Sequence, residues 1–114
     1  MIAVREYLDP TGGSPYAAWF ARLNPKAAAK VATALIRLAA GNFSNVKGVG
    51  SGVFEYRIDF GPGYRVYFGK DGERVVIVLG GGTKKRQQYD INAALANWLD
   101  YKRRKKEDDY GSYT

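Results

Sequence analysis

Apolar and polar side chains alternate along Phe54-Glu55-Tyr56-Arg57-Ile58-Asp59-Phe60, break at Gly61-Pro62-Gly63, and alternate again along Tyr64-Arg65-Val66-Tyr67-Phe68. A period of two marks a strand, and a Gly-Pro-Gly break between two such runs marks a hairpin. This feature commits the chain to an antiparallel sheet. A tight turn at the glycines pairs Phe60 with Tyr64, Ile58 with Val66 and Tyr56 with Phe68 on an apolar face. The other face then gathers Glu55, Arg57, Asp59, Arg65 and Tyr67. Guanidinium, carboxylate and phenol groups on one rigid ledge suit a phosphodiester, because the planar guanidinium fork matches phosphate oxygens. Asp59 opposite Arg65 also fits an ordinary cross-strand ion pair.

The other elements arrange themselves around the hairpin. Ile2 to Leu8 forms a first strand, closed by the turn Asp9-Pro10-Thr11-Gly12-Gly13. Ser14-Pro15 caps a short helix running to about Leu23, and Asn24-Pro25 opens a longer one, Lys26 to Ala40. In the latter Val31, Leu35 and Leu38 fall near helical spacing, and Gly41 closes it. Asn42 to Gly52 is irregular. Beyond the hairpin, Gly69-Lys70-Asp71-Gly72 turns the chain into a third strand of the meander, Arg74 to Leu79. Its apolar run from Val75 predicts a central strand covered on both faces, with Gly80-Gly81-Gly82 leading out of it. Thr83 caps a last helix with Ile91, Ala94, Leu95 and Trp98 as its apolar stripe.

The order β-α-α-β-β-β-α predicts an α+β fold, a small sandwich of helices packed on a mostly antiparallel sheet. At 114 residues the chain makes one domain. Residues 1–101 form that domain, and residues 102–114, a basic run Lys102–Lys106 followed by Glu107-Asp108-Asp109, form a frayed helix end and a mobile tail.

Composition narrows the chemistry. Eighteen basic residues against eleven acidic ones give a net charge of +7, which favours an anionic partner. With neither cysteine nor histidine, the chain has no thiolate nucleophile, no disulfide and no imidazole base. Its acidic residues lack the clustering of a Mg²⁺ or Ca²⁺ site, so neither metal nor cofactor is expected. No apolar run approaches a membrane span, and the N-terminal residues carry no leader pattern, so a cytoplasmic protein is expected.

Two places break local rules. The polar hairpin face is one. The other is Lys84-Lys85-Arg86, three cations at a helix start, where they oppose the macrodipole unless an anion sits there. The third strand brings Lys84 and Lys85 back toward Arg57 and Arg65, and convergent cations fit stabilisation of a pentavalent phosphorane. Glu55 or Tyr67 then takes the proton from an attacking 2′-hydroxyl; the residues leave that choice open. Arg86, Lys102 and Arg103 add phosphate affinity that falls with salt.

At these residues the chain resembles the RelE/ParE toxin superfamily, and most closely its HigB-like addiction-module killer branch. The resemblance is carried by Phe54-Glu55-Tyr56-Arg57-Ile58, Gly61-Pro62-Gly63-Tyr64-Arg65-Val66-Tyr67-Phe68, and Gly81-Gly82-Thr83-Lys84-Lys85-Arg86-Gln87-Gln88 with Asp90-Ile91 and Ala94. It implies a toxin of a type II toxin–antitoxin pair that cleaves mRNA, often on the translating ribosome, and is neutralised by a cognate antitoxin. It implies that Arg65 meets the scissile phosphate, with Arg57 and Lys84 or Lys85 at basic positions of the family. Glu55 stands where the best-studied ribosome-dependent members have lysine, and Tyr89 is one position away from their late-helix tyrosine. The histidine of some related ribonucleases has no counterpart. Two other readings remain: gyrase inhibition, as on the ParE side, and a non-catalytic nucleic-acid-binding domain.

Overall fold

The computed structural model describes residues 1–111. Five strands form one sheet: β1 (Ala3–Glu6), β2 (Val46–Gly50), β3 (Val53–Ile58), β4 (Tyr64–Lys70) and β5 (Val75–Thr83). Their spatial order is β1-β5-β4-β3-β2, and all neighbours are antiparallel except β1 and β5. Helices α1 (Pro15–Ala21) and α2 (Pro25–Ala39) cover one face, and α3 (Gln87–Gly111) covers the other. The fold is therefore α+β, with helices on both sides of a mostly antiparallel sheet.

Local signals set the helix starts. Ser14 Oγ accepts from the Ala17 amide at 3.0 Å, and Asn24 Oδ1 accepts from that of Ala27 at 2.9 Å, each followed by a first-turn proline. Along α2, Ala27, Val31, Ala34 and Leu38 are buried, a stripe at helical spacing facing Tyr56, Val66, Phe68, Val76 and Val78. On the other face Ala94 and Trp98 of α3 pack on Val53, Tyr67, Ile77 and Leu79. Strand β5 feeds both cores with alternate residues, as its uninterrupted apolar run predicts.

Three expectations are corrected. The hairpin pairs Ile58 with Tyr64, Tyr56 with Val66 and Phe54 with Phe68, two residues away from the expected register. Its turn closes by Gly63 N–H to Phe60 C=O at 3.0 Å, so Asp59 and Phe60 belong to the loop. A shift of two keeps every side chain on its face. Asn42–Gly52, expected to be irregular, contains edge strand β2, which pairs with β3 through a bulge at Gly48/Gly50. The glycines Gly80–Gly82 do not lead out of β5 but lie in it. A Cβ on Gly81 would come within 2.3 Å of the Trp19 ring, and one on Gly82 within 1.9 Å of Asp90 Oδ2, so both positions need close backbone approach. Helix α3 continues past Tyr101 to Gly111, so the helix end expected from Lys102 extends that far; residues 112–114 lie outside the described part.

Candidate functional site

Strand β5 ends by delivering Thr83 opposite Tyr64 and Gly82 opposite Arg65. Lys84-Lys85-Arg86 then form a 3₁₀ turn ahead of α3, and Thr83, expected to cap the helix, makes no side-chain cap bond. The turn is fixed by its backbone instead: the Lys84 amide donates to the Gly63 carbonyl at 2.8 Å. Arg65 Nη1 donates to the same carbonyl at 3.2 Å. Gly63, at φ +78°, stands between the two side chains; a Cβ there would lie 3.4 Å from both Arg65 Nη1 and Lys84 Cβ. Beside them opens a cavity of about 380 Å³ lined by Arg57, Ile58, Asp59, Gly63, Arg65, Lys84 and Gln87. The sequence-predicted Arg57, Arg65 and Lys84 thus meet in space.

The polar face of the hairpin is not the open ledge that alternation implies. Helix α3 lies over it, leaving Glu55 and Tyr67 fully buried and Arg65 only 7% exposed. Glu55 is the hub beneath the cavity. Its Oε1 accepts from Arg57 Nε at 3.0 Å, and Gln87 Nε2 donates to both oxygens at 3.3 and 3.0 Å. Arg65 Nε stands 3.6 Å from Oε2, an ion pair without a hydrogen bond. A carboxylate enclosed in this way holds two guanidiniums in place.

Tyr67 meets a different fate. Burial, reinforced by Glu55 and Asp90, pushes its hydroxyl above the ordinary tyrosine value, and the opposing Arg65 does not reverse this. The hydroxyl has no hydrogen-bond partner among the described residues. The loss of water outweighs the pull of the Arg65 cation. Asp59, expected opposite Arg65, is exposed at the loop, and Arg65 lies opposite Arg57.

The remaining cations lie elsewhere. Lys85 is exposed on the 3₁₀ turn and lines no part of the 380 Å³ cavity. Arg86 stacks 4.5 Å over Tyr89 and lines a second cavity with Trp19, Arg22 and Asp90. Lys102 lies over Trp98, and Arg103 pairs with Asp100 and Glu107. At a 1.5 Å rise per residue, Lys102 is about 22 Å along α3 from Gln87. Sequence reading missed Gln87, the clamp on Glu55; its place in the first turn of α3, next to the cationic run, was the available signal.

Residues 18–96 match the model of a family described as phage-derived protein Gp49-like (DUF891). The chain belongs to the Gp49-like family. That family sits in the RelE-type addiction-module killer group. The Gp49-like protein is also 46% identical over 77 residues to an uncharacterized protein of Haemophilus influenzae, covering 67% of this chain and 78% of the relative. The matched family segment runs from within α1 to Ala96 of α3, so it includes Glu55, Arg57, Arg65, Lys84 and Gln87. No helix among the described residues is long and apolar enough to cross a membrane.

Proposed function

We propose that this Gp49-like protein is the HigB-like toxin of a type II toxin–antitoxin pair and acts in the cytoplasm as an endoribonuclease on mRNA, on the translating ribosome. One observation carries the reading: the Arg65 guanidinium and the backbone amide of Lys84 share one carbonyl, that of Gly63, at the rim of an open cavity that both residues line. A guanidinium held in place before substrate arrives stabilises developing charge without reorganising, and the anchored backbone of Lys84 keeps a second cation beside it. The 2′-oxygen attacks phosphorus, the bond to the 5′-oxygen breaks, and a 2′,3′-cyclic phosphate and a 5′-hydroxyl result. Arg65 and Lys84 hold the phosphorane oxygens, and Arg57 holds a neighbouring phosphate. Glu55 is a positioning residue for both arginines. The 2′-hydroxyl proton passes to water, and the 5′-oxygen takes its proton from Lys84 or solvent. Lys85 and Arg86 steer the anionic chain toward the site. The cognate antitoxin covers this basic face with acidic groups.

Primer extension on a defined message in a translating bacterial lysate tests the proposal. New 5′ ends that appear only with the protein are expected. Intact message at protein levels that still arrest growth would overturn it, and inhibition of DNA supercoiling by gyrase under those conditions would establish the ParE-like alternative.

A further inference from the structure

The cavity at Arg65 shares Arg57, Ile58 and Asp59 with another cavity, of about 210 Å³, on the opposite face of the sheet. They can share residues because of how β3 ends. Strand β2 covers the edge of β3 only as far as the pair Val46 and Tyr56, with the Arg57 amide donating to Asn45 C=O at 3.0 Å. Beyond that point the edge of β3 carries no neighbouring strand among the described residues. Half-exposed Arg57 stands where the surface passes from the α3 side to the α2 side. On the α2 side Lys30 and Arg37, seven residues apart and so on one face of the helix, line the wall. Phe60 lies below with Lys30 Nζ 5.4 Å from its ring centroid, and Thr33 and Asn45 add neutral polar groups.

Resting on the ribonuclease reading above, we infer that the two cavities form one continuous track for single-stranded RNA, in which the nucleotides flanking the cleaved bond bend round the free edge of β3 at Arg57 and dock between Lys30, Arg37 and Phe60. Five cations, Lys30, Arg37, Arg57, Arg65 and Lys84, line the two cavities against one carboxylate, Asp59. A basic groove with an aromatic ring is how proteins hold single strands without reading a long sequence. An acidic protein segment would match the charge, but not the continuity with the cleavage site. A substrate strand held at Arg65 has to leave that cavity, and the edge of β3 offers a cationic exit.

The test measures fluorescence anisotropy of RNA oligonucleotides of four and eight nucleotides, 2′-O-methylated throughout so that no 2′-hydroxyl can attack. The full-length protein is compared with Lys30→Ala/Arg37→Ala, both exposed positions away from the catalytic cluster. The double variant should bind the short probe within about twofold of the unaltered protein and the long probe about tenfold more weakly. Its log–log salt slope for the long probe should fall by about 1.4, at ~0.7 for each phosphate that is no longer neutralised. Equal affinity for the long probe, or equal loss for both probes, would overturn the track while leaving the ribonuclease reading standing. Failure of the unaltered protein to bind either probe would also overturn the track, whereas the ribonuclease reading stands or falls on the primer-extension result in the translating lysate.

Discussion

Glu55 shows what a single residue does here. It is fully buried, yet its two oxygens meet Arg57, Arg65 and Gln87. Removing one partner of a buried pair leaves the other charge without compensation, which costs more than the pair itself contributes. Glu55→Ala should therefore lower unfolding stability by about 3–5 kcal/mol, read as a reduced urea midpoint at unchanged slope. A loss below about 1 kcal/mol would show that the pair behaves like a surface contact. Alternation along the hairpin assigned Glu55, Arg57, Arg65 and Tyr67 to one face, and the structure keeps them there. It did not reveal that the face is covered, because the cover is Gln87 and its helix, 32 residues further on. Nor did it reveal the register, since a pairing shifted by two preserves the pattern.

Among the elements, α3 departs most from its sequence pattern. Its apolar stripe runs from Ile91 to Tyr101, and the charged residues beyond carry no periodic signal. They are nevertheless anchored by side chains from distant segments. Tyr7 Oη donates to Asp100 at 2.6 Å, Arg104 reaches the Leu8 carbonyl, and Asp71 is held by Tyr101 and Lys105. The Tyr7 hydrogen bond, helped by Arg104 and Arg103, draws the Asp100 carboxyl down to about 2. Lys105 and Tyr101 lower that of Asp71. Carboxyls lowered in the folded state add stability above their unfolded value of ~3.9, and this is lost as pH falls toward the folded value. Asp90, raised by burial, runs the opposite way, its contribution being lost as pH rises above the unfolded value. Thermal melts from pH 5 to pH 2 should show Tm falling steeply, and less steeply in Asp100→Asn. Parallel curves would mean that the anchor does not couple to folding. The other element the sequence obscured is β2, whose Gly48 and Gly50 mask a strand that exists through its pairing with β3.

Across the whole molecule, the order of elements was legible because turn and cap residues punctuate it at Asp9–Gly13, Ser14-Pro15 and Asn24-Pro25. The meeting of hairpin and 3₁₀ turn was legible only as a consequence of the meander. Its actual joint, the Gly63 carbonyl shared by the Lys84 amide and Arg65, is a tertiary contact that no local pattern announces. Under the proposed ribonuclease function, the net charge of +7 would attract RNA at a distance, and the Arg65–Lys84 pair would be the site where it is cut. Single-turnover cleavage of an mRNA target by the unaltered protein, Arg65→Lys and Lys84→Ala, with folding checked by circular dichroism, tests this most directly. The rate should fall about 100-fold or more for Arg65→Lys, because lysine cannot reproduce the fork, and at least ~10-fold for Lys84→Ala. Folded variants that both cut at the unaltered rate would contradict the account.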